Sequence, residues 1–135
     1  MINPSEIRIG NFFVCHLEPG KDEVLCKVIW PHKEGIENQF GGHCPYKASN
    51  PIPLTPEWLE RMGFKQMAIG KYQDDGNWHL KKTDCTIAFD DRYAHKDNNI
   101  SYNGCTIWQT VKFVHQLQNL YFALTGEEFT IKENA

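Results

Sequence analysis

The chain has 135 residues with a formal net charge of −3; 41% of its residues are hydrophobic and 13% are aromatic. This composition is typical of a globular protein, and the length fits one domain over residues 1–135. The negative charge argues against a protein that binds long nucleic acids, although it allows a local basic pocket for a small phosphate-containing molecule. No apolar segment approaches the roughly 20 residues that span a bilayer, so no membrane partner is expected.

The amino terminus and the cysteines indicate a cytoplasmic protein. Residues 1–6 lack both the basic start and the apolar stretch of a secretion signal. The five cysteines include no Cys-x-x-Cys pair, which favours free thiols in a reducing compartment. Cys44 is expected to be the most exposed of them, because it follows His43 in a glycine-rich segment. We predict no metal and no cofactor, since the short paired spacings of zinc ligands are absent.

The first half of the chain predicts a bent β-structure. β-Branched and aromatic residues predict strands over residues 6–15 and 23–30, and the turn residues between them predict a hairpin. Such an opening is typical of a small, strongly bent barrel. Residues 31–50 are glycine-rich and contain Pro45, so they are predicted to form a long irregular loop.

The middle of the chain predicts one short helix followed by further strands. Thr55 is a natural N-cap, Pro56 suits the first helical position, and Gly63 suits a left-handed end. Strand patterns follow over residues 65–71, 77–82 and 86–89, and again around the Asn103–Gly104 turn. A last edge strand is predicted over residues 129–131. We therefore expect an α+β fold, in which a bent antiparallel sheet or partial β-barrel carries one short helix and a long carboxy-terminal helix.

The long helix, predicted to start near Val111 and to end at Gly126, carries no charged side chain between Lys112 and Glu127. At 100° per residue its apolar residues fall on one side, and an uncharged face lies opposite. That face consists of His115, Gln118, Asn119 and Phe122. Three interpretations stay open: burial against neighbouring loops, an interface between copies of the chain, or the wall of a ligand site.

Three blocks of residues carry a family resemblance. They are Glu6-Ile-Arg-Ile-Gly-Asn11, Pro51-Ile-Pro-Leu-Thr-Pro-Glu-Trp-Leu59 with Gly63-Phe64, and Val114-His-Gln-Leu-Gln-Asn-Leu-Tyr-Phe-Ala-Leu-Thr-Gly-Glu-Glu128. In this order the chain resembles a group of small uncharacterised proteins of Bacteroides-type gut bacteria, their prophages and their phages. The resemblance implies a phage-linked accessory protein of the bacterial host cytoplasm, and it transfers no catalytic residue.

Aromatic and cationic residues within positions 78–96 indicate a ligand-binding site. Stacking combined with a few cations is how proteins hold a base and its phosphates. The candidate ligand-binding residues are Trp78, Lys81, Lys82, Arg92, Tyr93 and His95. The alternative is that the tryptophan belongs to the core and that the lysines are charges that protect an edge strand.

The sequence favours a binding protein over an enzyme, because no nucleophile–base–orienter pattern is present and no catalytic residue is assigned. The expected function is capture of a small nucleotide-type ligand of host defence by a homo-oligomer. One alternative is an inhibitor or adaptor that binds a host protein through the helix face of residues 113–125. A nucleotide hydrolase is a further alternative.

Overall fold

The computed structural model describes residues 1–16, 22–66, 77–80, 83, 85–88, 99–103, 105–107 and 111–132. Its contacts divide the chain into two compact units. Unit 1 comprises Met1–Pro53 and Phe113–Leu120, and unit 2 comprises Leu54–Lys112 and Tyr121–Ala135. The α+β fold class is confirmed: there is a curled antiparallel sheet, a second small sheet, one short helix and one carboxy-terminal helix. The single domain over residues 1–135 stays a prediction.

Unit 1 contains a curled antiparallel sheet with the strand order β4-β3-β2-β1-β5. In chain order the strands are β1 (Phe12–Cys15), β2 (Val24–Pro31), β3 (Gly35–Asn38), β4 (His43–Pro45) and β5 (Ser49–Asn50). Burial alternates along β1, as expected for a strand with one face on a core. A register shift between Val28 and Trp30 places an extra residue in β2, and such bulges bend a strand.

The core of unit 1 lies on one face of this sheet. Ile2, Phe13, Val28 and Ile36 are fully buried there, together with three cysteines. Short 3-10 helices over Pro4–Glu6 and Tyr46–Ala48 complete the unit. The first strand is shorter than predicted: it begins at Phe12, and Glu6 instead ends the 3-10 helix Pro4–Glu6, which the Asn3 side chain caps.

Two predictions for residues 31–50 are wrong. The segment is not an irregular loop, because it contains β3 and β4, and Gly41 (φ +78°) makes the turn between them. Gly35 allows close packing of these strands, since an added Cβ would lie 2.5 Å from the Cys44 carbonyl oxygen. Cys44 is consequently buried within the sheet, and the exposed thiol is that of Cys105.

Unit 2 contains an antiparallel sheet with the strand order β10-β9-β8-β7-β6. The strands are β6 (Lys65–Gln66), β7 (Asn77–Leu80), β8 (Cys85–Ala88), β9 (Asn99–Tyr102) and β10 (Cys105–Ile107). Asn103 adopts φ 50° between the last two strands, which confirms the predicted turn. Trp78, Cys85, Ile87 and Ile100 are buried in this sheet.

The short helix α1 (Pro56–Arg61) begins and ends as its sequence predicts. The Thr55 side chain accepts a hydrogen bond from the Trp58 amide, and Gly63 has φ +96° just after the helix. The Phe64 amide donates to the Leu59 carbonyl at 2.9 Å and the Gly63 amide donates to Glu60 at 3.0 Å. This pair of bonds is the Schellman motif, which satisfies carbonyls that a helix end leaves open.

The long helix α2 (Val114–Thr125) begins three residues later than predicted and is followed by Gly126 with φ +72°. The strand predicted over residues 129–131 is absent from this described segment. Instead, the Phe129 ring stacks on Tyr121 with the ring centroids 4.0 Å apart. No helix in the described part of the chain is long and apolar enough to cross a membrane.

Candidate functional site

The uncharged face of α2 is bound in unit 1 by the segment that leads into β1. The Gln118 side chain accepts a hydrogen bond from the Phe12 amide at 2.9 Å and donates to the Gly10 carbonyl at 3.2 Å. The Asn119 side chain donates to the Glu6 carbonyl at 2.6 Å. Backbone groups at the start of β1 and in the segment before it thus find hydrogen-bond partners on the helix, as buried polar groups require.

Two further side chains converge on the Asn119 oxygen. It accepts hydrogen bonds from Asn11 Nδ2 at 2.8 Å and from Arg8 Nε at 3.1 Å. Asn11 is fully buried, and its own side-chain oxygen accepts from the Arg8 amide at 2.7 Å. An amide side chain suits this position because a single oxygen can accept two donors while the nitrogen donates to a third group.

Of the three polar side chains on this face, His115 is the one whose polar atoms make no hydrogen bond. It is 1% exposed, and neither ring nitrogen has a hydrogen-bond partner. Its Nε2 lies 3.5 Å from Glu6 Oε2, which is too long for a good hydrogen bond. The ring stacks on Phe113 with the centroids 5.9 Å apart. Burial lowers the pKa of His115 and the Glu6 carboxylate partly opposes that shift, so the buried imidazole is neutral at pH 7.

Phe122 differs from the other three residues of the predicted interface. His115 and Gln118 are buried in unit 1 and Asn119 is half-buried, whereas Phe122 is 39% exposed. A partner that reaches this helix would therefore meet Phe122 rather than the polar side chains. The interface role of the four residues stays a prediction.

Unit 2 carries a cavity of about 320 Å³. Its lining residues are Glu60, Gly63, Phe64, Lys65, Trp78 and Lys132. Phe64 and Trp78 are buried and supply apolar groups to its lining. Glu60, Lys65 and Lys132 are exposed, so two cations and one anion also border it. The arrangement offers an apolar surface beside positive charge.

The carboxy-terminal segment is held against α1, which places Lys132 at this cavity. The Lys132 amide donates to the Arg61 carbonyl at 2.9 Å, and Arg61 Nε donates to the Lys132 carbonyl at 3.0 Å. The guanidinium also lies 4.1 Å from the centroid of the Trp58 ring, a cation–π contact. The Phe129 ring adds a contact with Phe64 at 5.8 Å between centroids.

Only part of the predicted ligand-binding set can be placed. Trp78 lines the cavity. Lys81, Lys82, Arg92, Tyr93 and His95 lie outside the described residues, and their role stays a prediction. The two lysines that line the cavity, Lys65 and Lys132, were not among the residues predicted from the sequence. Lys65 follows the helix end at Gly63–Phe64, a signal that was available, whereas Lys132 is far away in sequence and gave none.

A second, open groove of about 390 Å³ lies in unit 1 and is lined by His32, Lys33, Glu34 and His43. His32 Nε2 is 3.5 Å from Glu37 Oε2, and the two imidazole centroids are 6.2 Å apart. Across the described residues, no group of three or more His, Cys, Asp and Glu side chains is arranged to hold a metal ion. This groove therefore offers less specific chemistry than the cavity of unit 2.

Comparisons of the chain with protein-family models, with curated proteins and with solved structures found no match.

Proposed function

We propose that this protein binds a small phosphate-containing ligand of nucleotide type and does not convert it. The cavity of unit 2 carries the proposal, because two lysines and two aromatic side chains line it together. The lysine ammonium groups suit phosphate oxygens, and the aromatic lining suits a planar base. A cavity of about 320 Å³ matches a single small ligand rather than a polymer.

The lining residues favour binding over catalysis. Among those described, none is a histidine, cysteine or serine, so a nucleophile paired with a base is lacking there. The Glu60 carboxylate suits a hydroxyl or amino donor of the ligand rather than a phosphate. Capture of an intact nucleotide is the activity that this set of side chains supports.

The biological setting is proposed from the resemblance described above. In a phage-infected bacterium, a protein of the host cytoplasm that captures a nucleotide signal would weaken a defence response that depends on that signal. The protein would then act as a stoichiometric sequestering agent, because each chain removes one ligand molecule from solution. A nucleotide hydrolase is the alternative in which the same ligand is destroyed.

The second candidate function is contact with a protein, either a second copy of the chain or a host protein. The exposure of Phe122 favours it, because aromatic residues that lie among uncharged side chains are typical of interface centres. This contact and ligand capture are compatible, since a homo-oligomer can carry one ligand in each chain.

The test is incubation of the purified protein with a library of nucleotides, removal of unbound compounds, denaturation and mass spectrometry of what is released. Capture returns one or a few nucleotides unaltered and in amounts close to that of the protein. Altered nucleotides would identify a hydrolase instead. If nothing is retained, and if no nucleotide raises the melting temperature, the binding proposal is wrong and a host protein becomes the better candidate.

A further inference from the structure

Three buried thiols in the core of unit 1 form a cluster that the proposed ligand cavity does not use. Cys15 lies on β1, Cys26 on β2 and Cys44 on β4, and all three are at most 4% exposed. They belong to one packed core with Phe13, which faces Cys26 directly across the strand pair. The curl of the sheet brings side chains from three different strands to the same place.

The Asn38 side chain organises two of these sulfurs. Its oxygen accepts hydrogen bonds from the Phe40 and Gly42 amides at 2.9 and 3.0 Å, which fixes the orientation of the amide. Its nitrogen therefore points the other way, 3.4 Å from Cys44 Sγ and 3.8 Å from Cys26 Sγ. A donor aimed at two sulfur atoms stabilises negative charge on them.

The thiols also interact with one another. Burial raises the pKa of Cys15 to about 12, with a further contribution from Cys44. Burial raises the pKa of Cys26 to about 11 and Cys44 adds to it, while the hydrogen bond from Asn38 opposes the shift. Cys44 is thus the shared neighbour of the other two. Cys15 and Cys26 therefore carry protons at neutral pH.

We infer that Cys44 and Cys26, the two sulfurs that the Asn38 nitrogen faces, form a two-sulfur site for a soft d10 ion such as Cu(I). Soft ions select sulfur ligands over nitrogen and oxygen, and Cu(I) accepts two sulfurs in a linear arrangement. Hydrogen bonds donated to the ligating sulfurs tune such metal sites, and the Asn38 amide is the donor here.

The binding step exchanges protons for the ion. Two thiols release two protons when both sulfurs ligate Cu(I), and the resulting complex carries one negative charge. The Asn38 donor faces that charge in an otherwise apolar core. Because the ligands must lose protons, affinity should rise with pH. A purely structural role for the three cysteines predicts no metal binding.

The experiment is an anaerobic titration of the full chain with Cu(I) in competition with a Cu(I) chelator. We expect one equivalent to be retained, with a sulfur-to-copper charge-transfer band in the ultraviolet, and X-ray absorption should show only sulfur neighbours. Nitrogen or oxygen neighbours, or no retained copper, would overturn the proposal.

Variants locate the site. Cys105→Ser removes the exposed thiol and should retain the full equivalent of copper, whereas Cys44→Ser should weaken binding by at least tenfold while circular dichroism reports the wild-type fold. If the serine variant does not fold, Cys44→Ala keeps the position apolar and should show the same loss. Equal binding by wild type and a folded Cys44 variant would overturn the site, as would loss of binding on replacing Cys105.

Discussion

The side-chain oxygen of Asn119 accepts a hydrogen bond from Asn11 at 2.8 Å, and this bond joins α2 to the residue before β1. The same oxygen also accepts from Arg8. Loss of this one side chain would leave several polar groups in a buried place without partners. The part of α2 that belongs to unit 1 is therefore bound by hydrogen bonds to the segment that leads into β1.

Asn119→Ala should lower the free energy of unfolding by about 1–3 kcal/mol, because Asn11 and the Glu6 carbonyl would lose their partner in a buried environment. Chemical denaturation monitored by circular dichroism measures the effect. Gln39→Ala is the matched control, since the hydrogen bonds of that amide are exposed. Equal losses in the two variants would contradict the proposed role of Asn119.

The stability of the protein should fall as the pH falls below about 6.5, the ordinary pKa of histidine. Because burial lowers the pKa of His115 in the folded chain, the unfolded chain takes up its proton first on acidification. The contribution of His115 is therefore complete above that pH and is lost as the pH falls toward the lowered value.

His115→Leu should reduce this slope, and it should change the free energy of unfolding at pH 7.5 by less than about 1.5 kcal/mol. The reason is that the imidazole nitrogens make no hydrogen bond that leucine would remove. Denaturation at several pH values between 5 and 8 measures both quantities. An unchanged slope would show that another group controls the acid sensitivity.

Phe122→Asp should leave the chain folded, because the ring is 39% exposed and the carboxylate can reach water. Tyr121→Asp is the matched control on the same helix: Tyr121 is 3% exposed, so an unpaired charge there should unfold its unit. Thermal unfolding compares the two. Sedimentation then tests the interface, since a self-associating wild type should become a monomer when Phe122 is replaced.

Replacement of both lysines of the unit 2 cavity should weaken nucleotide binding. Lys65→Gln and Lys132→Gln should each reduce the affinity for a captured nucleotide by about tenfold, the loss expected for one charge-assisted contact with a phosphate. Titration calorimetry at two salt concentrations is the measurement, and the salt dependence should weaken as well. Lys27→Gln, an exposed lysine of unit 1, is the control. Unchanged affinity in the double variant would remove this cavity as the site.

Gly63→Ala should destabilise the protein by about 1–2 kcal/mol, since φ +96° strains any residue with a side chain. An added Cβ would also lie 3.3 Å from Leu80 Cδ1, so the side chain beside it must shift. Gly126→Ala provides the comparison, because that glycine has φ +72° and nothing within 4 Å of an added Cβ. We expect the Gly126 variant to lose less stability.

Local signals in the sequence predicted those elements that depend on local physics. The N-cap at Thr55, the left-handed Gly63 and the turn at Asn103 were correct, because each is set by a residue and its immediate neighbours. Residues 31–50 were predicted wrongly as a loop. Their glycines serve a tight turn and a close contact between β3 and β4, so a glycine-rich composition did not distinguish this strand pair from an irregular loop.

The sequence by itself determined that α2 exists, and it indicated that the polar part of its uncharged face is covered, because a helix surface without charge is poorly suited to water. It also determined the helix caps and the free thiols. Only the tertiary structure decided what covers that face: the segment 6–12 binds Gln118 and Asn119, and Phe122 stays exposed. These contacts join residues more than a hundred positions apart, and periodicity along one helix carries no information about them. The tertiary structure also decided the burial of Cys44, whose neighbours lie on other strands. It likewise decided the position of Lys132, whose backbone is bound to α1.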